Sequence, residues 1–373
     1  MGKFLLHLNF LILLAFNLLF FLAVKIGFSF SVVLEFIICL FSFLYIALHG
    51  GLSRITFGKY KLPLLFLGII SVSFLFHYHE DSAFKLQVLL VRTFFIIFVI
   101  DLFISSGFRL NKYIIFVAGV IFSLLLIYNA SLTGFQLRTS LVFEETNKSR
   151  IITGVIEDSR TLAFILVYLF MVNFRQKRLL FTGIFVIFLG LLVTQTRQTI
   201  LVLLLCFMPY ILFSEFSLVN FLKRAMLLVF FLFFISFVLK YNDVNIYETR
   251  LGVSDRLEDS GRANLLRWAY ELFEEKPIFG YGFGYTDVSF SYPHNIILEV
   301  MAELGIIGLV FFLIALIHRY WVVNDVRIRT LIILTFFLAL FSGNISQNYL
   351  FFFALIVDRR YFESNTYTEE IKV

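Results

Sequence analysis

A histidine, three arginines and two glutamates stand where an otherwise apolar chain turns polar, and their types suit transfer of a group away from an anionic leaving group. His294 precedes Asn295 at the end of a long hydrophilic stretch. An imidazole with a pKa near about 6.5 can take a proton from an attacking hydroxyl at neutral pH. Such help is typically worth about 10²–10⁴-fold in rate. Arg197 lies in the short polar turn Thr194-Gln-Thr196-Arg197 between two apolar runs, and Arg262 opens a helical stretch. Guanidinium groups are permanently charged, bidentate donors suited to a pyrophosphate. Helix N–H groups beside Arg262 would add to the same anion site. The plainer account of both is solvation of loop cations. Arg160, at the start of another apolar run, is a third candidate of this kind.

Two charges fall inside apolar runs. Arg92 and Glu35 sit about 10 Å deep, counted at ~1.5 Å per residue from the expected ends of their helices. Intramembrane charges are functional candidates by default, although pairing with each other would explain them equally well. Glu299 and Glu303 are four residues apart and share one helix face. A carboxylate would repel a leaving pyrophosphate, so Glu303 reads as an orienting partner for a loop cation. His77 and His79 read as interfacial side chains, since two histidines without a third ligand make a poor metal site. Cys39 and Cys206 lie in apolar runs and read as small buried hydrophobes.

These residues must be held by an all-α membrane protein. Only 15% of the 373 residues are charged and 60% are hydrophobic, with a mean hydropathy of +0.93. Ordinary soluble domains carry about 25% charged residues. Apolar runs near the ~20 residues needed to span a bilayer recur along the chain, and the alternating segments of an outer-membrane barrel do not. About 12 spans are expected: 4–24, 28–48, 62–78, 86–104, 113–128, 160–174, 179–194, 198–213, 225–240, 295–317, 329–345 and 348–358. Phe4–Val24 lacks a small-x-small cleavage site, so it is expected to stay as a span. Lys and Arg concentrate on alternate loops, while the other short loops hold only Lys25, Lys85 and Arg197. That asymmetry places both termini in the cytoplasm. It also accounts for the pI near 9.2 without nucleic acid. The expected organisation is spans 1–9 in residues 1–240, a long outer loop over 241–294, spans 10–12 in 295–358, and a cytoplasmic tail over 359–373. A second outer loop covers roughly 129–159.

Within the long loop, Ser260 to Pro277 has the spacing of one amphipathic helix. Leu265, Leu266, Ala269, Leu272 and Phe273 form its apolar face. Asp259 or Ser260 can cap its start and Pro277 stops it. Gly280, Gly282 and Gly284 then alternate along a turn with no dinucleotide-binding context. They would let the backbone turn sharply or approach a ligand or a helix closely.

Taken together, Ser260-Gly261-Arg262, Trp268, Pro277-Ile-Phe-Gly280-Tyr-Gly282, His294-Asn295 and Glu303-Leu-Gly305-Ile-Ile-Gly308 resemble the O-antigen ligase and O-antigen polymerase family of bacterial envelope glycosyltransferases. Thr194-Gln-Thr196-Arg197 stands where that family carries a Ser-Arg turn, with the hydroxyl retained. The motif covers about residues 194–308. The resemblance implies a donor glycan carried on undecaprenyl diphosphate and an acceptor glycan or lipid, in the bacterial inner membrane with the site on its outer face. His294 would be the base; Arg197, Arg262, and more weakly Arg92 and Arg160, would bind the donor. A single displacement would invert the anomeric carbon. Neither a cofactor nor a metal is expected: the chain has no Asp-x-Asp, and the first outer loop, Lys25-Ile-Gly27, has no carboxylate. Membrane lipid, a flippase and a chain-length regulator are further expected partners. The competing reading is a transporter of envelope glycan or lipid precursors, since twelve spans with both ends inside describe many carriers. The two halves, however, look unlike.

Overall fold

The structure is a computed structural model. It describes residues 1–14, 28–49, 57–78, 80–132, 160–169, 171, 183, 185–191, 199, 201–203, 261–287, 292–341, 345 and 348–362. Every regular element among them is helical and none is a strand. This is the expected answer of an apolar chain that must satisfy its backbone internally. The elements are α1 (Gly2–Leu14), α2 (Phe28–Leu48), α3 (Lys61–Phe76), α4 (Glu80–Val88), a π-helical stretch (Leu89–Phe95), α5 (Ile96–Ser105), α6 (Lys112–Leu132), α7 (Arg160–Leu169), α8 (Gly261–Glu275), α9 (Ile296–Val322), α10 (Val326–Phe341) and α11 (Tyr349–Ile356). The expected span 225–240, most of the loop 129–159, the loop up to residue 260, Arg197, Cys206 and most of the tail lie outside the described residues.

Three helical stretches are long and apolar enough to cross a membrane: Gly58–Phe76, Lys85–Ser105 and Ile296–Val322. They correspond to the expected spans 62–78, 86–104 and 295–317, and they make this a multi-pass membrane protein. Along α9 the residues Ile306, Val310, Ile314, Ile317 and Trp321 are 43% to 70% exposed. Their spacing of three and four keeps them on one face. A contiguous apolar stripe is a liability in water, and it is the natural outer face of a helix whose solvent is lipid.

The same three stretches run between two polar layers. At one end lie Ser73, Lys85, Glu299 and Glu303. At the other, Lys59 pairs with the buried Asp101 and lies 3.2 Å from Asp358. Tyr60 donates to Asp101, as does Tyr361 at 3.0 Å, and Arg319 donates to the Val357 carbonyl at 2.5 Å. Sixteen residues separate Lys85 from Asp101, and sixteen separate Glu303 from Arg319. At ~1.5 Å per residue that is about 24 Å, close to the ~30 Å hydrocarbon thickness of a bilayer.

Phenylalanine fills the space between. Phe66 on α3 meets Phe312 on α9 at 5.6 Å and Phe352 on α11 at 6.5 Å, and Phe94 meets Phe352 at 5.5 Å. Every residue of α11 is buried. Of the expected span 348–358 the structure describes this short buried helix. Eight residues reach only about 12 Å, and their apolar character comes from protein on all sides, not from lipid. Arg92 falls in the π-helical stretch, a backbone irregularity common at functional sites. Its side chain lies outside the description, so its pairing with the buried Glu35 stays an expectation. The two elements do touch, through Phe36 and Phe95 with ring centres 5.7 Å apart.

Burial predicts a contrast between two truncations. Phe352→Ala should lower stability by about 3–5 kcal/mol, the usual cost of emptying an aromatic core position. Val310→Ala, on the lipid-facing stripe, should stay within ~0.5 kcal/mol. Unfolding in detergent micelles measures both, and equal losses would contradict the assigned burial.

Candidate functional site

The site is built on a broken helix. Inside α9, Gly305 has φ 63° and ψ −163°, a conformation open to glycine and strained for other residues. In an unbroken helix the carbonyls of Ala302 and Glu303 would accept from the amides of Ile306 and Ile307. Here all four groups turn to the segment that follows α8. Tyr281 N donates to Ala302 O and Gly282 N to Glu303 O, both at 2.9 Å. Ile306 N donates to Pro277 O at 2.8 Å and Ile307 N to Ile278 O at 3.4 Å. Pro277 suits its place because only its carbonyl is needed. Gly280, with φ 71°, lets the two backbones meet: a Cβ there would stand 2.4 Å from the Glu303 carbonyl carbon, and one on Gly305 2.3 Å from Ile278 O.

The break makes residues 296–304 a half-helix, and its entrance carries the catalytic candidate. Asn295 is extended and its side chain accepts from Ile297 N at 3.0 Å and Leu298 N at 3.1 Å. It is therefore a true N-cap. His294, immediately before it, has φ 54°, and among the described residues it alone is a non-glycine residue with positive φ. Such strain gathers at functional sites. The His294 ring is half-buried and its centre lies 4.4 Å from that of Tyr292. The amphipathic helix α8 packs over this half-helix, with Ala269 and Leu272 against Ala302, flanked by Trp268 and Leu298. It thus lies over the bundle, one of the two dispositions its pattern allowed. Past α8, Tyr281 donates to Glu275, which pushes its phenol up to about 12.

Below the entrance lies a buried ionic cluster. Lys85 Nζ is 2.5 Å from Glu299 Oε1 and 2.8 Å from Glu303 Oε1. Thr286 donates to Glu303 Oε1 through its hydroxyl at 2.6 Å and its amide at 3.2 Å. The Phe283 ring faces the ammonium at 5.1 Å. All three charged side chains are at most 1% exposed. The carboxylates are thereby committed to Lys85 and Thr286.

Of the residues singled out from sequence, the structure brings Glu299 and Glu303 onto one half-helix with His294 at its entrance. Arg262 lies in the first turn of α8, as expected, with its side chain outside the description. Arg160 is buried and donates to Asn348 Oδ1 at 2.9 Å beside α11. Lys85 corrects the sequence reading. It was counted among the cations of short loops, yet it is a buried member of α4. Two carboxylates at one helix face in an apolar run should have raised the demand for a buried cation. His77, read as interfacial, packs against Gly282, where a Cβ would stand 2.2 Å from the His77 Cβ.

The exchanged bonds predict that Gly305→Ala and Gly280→Ala each destabilise by more than the ~1 kcal/mol of an ordinary helix glycine change, because both meet backbone. Gly68→Ala on α3, with open space at its Cβ, should not. Comparing unfolding midpoints of the three variants tests this.

Residues 182–313 match the family model Wzy_C, described as O-antigen ligase. No curated protein matches the chain. The matched stretch holds Arg197, Arg262, His294, Glu303 and both strands of the exchanged backbone bonds. Lys85, Arg92 and Arg160 fall before it. Over residues 182–313, with the half-helix they build, the chain is similar to the O-antigen ligase family, a similarity that points to a membrane glycan-processing enzyme.

Proposed function

We propose that this protein transfers a glycan from undecaprenyl diphosphate to an acceptor hydroxyl, in one inverting step that needs no metal. The observation that supports it best is His294, held in a left-handed backbone conformation at the capped entrance of a half-helix inside the family-matched stretch. The donor must arrive already activated, because the outer side of a bacterial inner membrane has no ready supply of nucleotide sugars. A polyprenyl carrier fits between membrane-spanning helices with its diphosphate at the interface. The acceptor oxygen attacks the anomeric carbon as the bond from that carbon to the diphosphate oxygen breaks. The hydroxyl proton passes to His294, and the electron pair leaves with the diphosphate. Arg197 and Arg262 neutralise the developing charge, which fixed guanidinium donors do without reorganisation. A polymerase and a ligase would share these residues and differ only in the acceptor.

The test uses purified protein, a lipid-linked glycan and candidate acceptors. His294→Ala should lose at least about 100-fold in transfer, within the range for a lost general base, while inserting normally. Arg197→Ala and Arg262→Ala should weaken donor use, and Arg→Lys should restore only part of it if the contact is bidentate. Near-normal product from His294→Ala would remove the base. Substrate movement across sealed vesicles without any transfer would favour a carrier.

A further inference from the structure

We propose that Lys85 is a positioning residue for the transfer step: its ammonium holds the carboxylates of Glu299 and Glu303 and so fixes the half-helix that presents His294. The inference rests on the reading of His294 as the base.

A nine-residue helix is too short to be stable alone, so residues 296–304 depend on what grips them. The exchanged backbone bonds grip the end at Gly305, and α8 covers one face. Lys85 reaches the half-helix from a different part of the chain, the stretch formed by the end of α3 and by α4. That segment touches the glycine-rich stretch repeatedly. Ser73 Oγ accepts from Phe283 N at 3.1 Å. A Cβ on Gly282 would stand 2.2 Å from the His77 Cβ, and one on Gly284 2.5 Å from the Ser82 Cβ. Lys85 completes the row with its two ion pairs. Glu299 lies one turn beyond the cap, its amide donating to Asn295 O at 3.0 Å. Asn295 is the residue after His294. The mechanical path from the ammonium to the imidazole is therefore one helical turn, about 6 Å.

Lys85 is badly placed to bind the donor directly. Its side chain is 1% exposed and already faces two carboxylates and the Phe283 ring. Without it, two buried carboxylates on adjacent turns would repel each other in a low-dielectric setting. The half-helix would shift or tilt. A displacement near 1 Å from a site remote from the chemistry can cost about 100-fold.

The experiment measures kcat and donor KM for purified full-length variants with a lipid-linked glycan, alongside thermal unfolding in the same detergent. Lys85→Met should lower kcat about 100-fold, the scale of such a misplacement, with donor KM within about threefold of wild type. Adding Glu299→Gln to Lys85→Met removes the repulsion and should recover about tenfold of that kcat, a fraction of the misplacement penalty. Lys85→Arg should fall between wild type and Lys85→Met. If Lys85→Met does not insert, Lys85→Arg and Glu299→Gln carry the test, each with lowered kcat and unchanged KM. Wild-type kcat in the folded variants overturns the proposal. So does a raised KM with unchanged kcat, which would make Lys85 a donor contact. His294→Ala is run in parallel. If it is slow while Lys85→Met is normal, only the positioning role fails. If His294→Ala is normal, the base assignment fails and takes the positioning role with it.

Discussion

Gly305 leaves two carbonyls and two amides without helical partners in the middle of an apolar helix, and residues 277–282 supply a partner for each. An unpaired backbone group in an apolar setting costs roughly several kcal/mol. Four of them together would rival the ~5–15 kcal/mol that holds a typical domain folded. The break and the glycine-rich segment must therefore form together or not at all. That single constraint fixes where α8 ends, where Tyr281 and Gly282 lie, and where the half-helix ends. It also explains why Pro277-x-x-Gly280-x-Gly282 and Glu303-x-Gly305-x-x-Gly308 occur in one chain: they are the two sides of one backbone exchange.

Burying charge beside the exchange adds specificity more than stability. Taking an ammonium and carboxylates out of water costs several kcal/mol per ion, which good geometry only about offsets. Lys85, Glu299, Glu303 and Thr286 have that geometry. The return is registry: an ion pair buried between helices penalises any sliding of one along the other. Glu303 takes part in both systems, since its carbonyl accepts from Gly282 while its carboxylate holds Lys85 and Thr286.

The sequence made the membrane class, three of the crossing helices and the amphipathic helix legible, because each depends on local periodicity and length. His294-Asn295 was legible as a motif. That Asn295 caps the half-helix while His294 takes a positive φ was not, because capping geometry depends on where the helix starts in space. The glycines were expected to turn sharply or approach a ligand or helix closely, and Gly280 does approach a helix, but its partner near Gly305, some 25 residues on, cannot be read from spacing. Lys85 was hidden for a different reason. Positive residues near span ends are the ordinary product of topology, and nothing local separates a loop lysine from one that reaches two carboxylates more than 200 residues away. That α11 is buried on all sides was not legible either, because hydropathy rises alike for burial in lipid and burial in protein.

The two polar layers bear on orientation as well. At the Asp101 end, Lys59, Tyr60 and Tyr361 converge on one carboxylate, and residues 357–362 close over it through Arg319, Asp358 and the Tyr168 hydroxyl. Arg327 and Arg360 add further charge there, over Phe362 and on Asp358. This end is rich in cations and sealed by the chain itself. The opposite end holds Lys85 buried among acids, and the strained His294 at a helix entrance. The positive-inside expectation drawn from the sequence would put the cation-rich end in the cytoplasm. The proposed function requires the half-helix to open away from the cytoplasm, the side on which a substrate carried by a polyprenyl lipid, and not by a nucleotide, makes chemical sense.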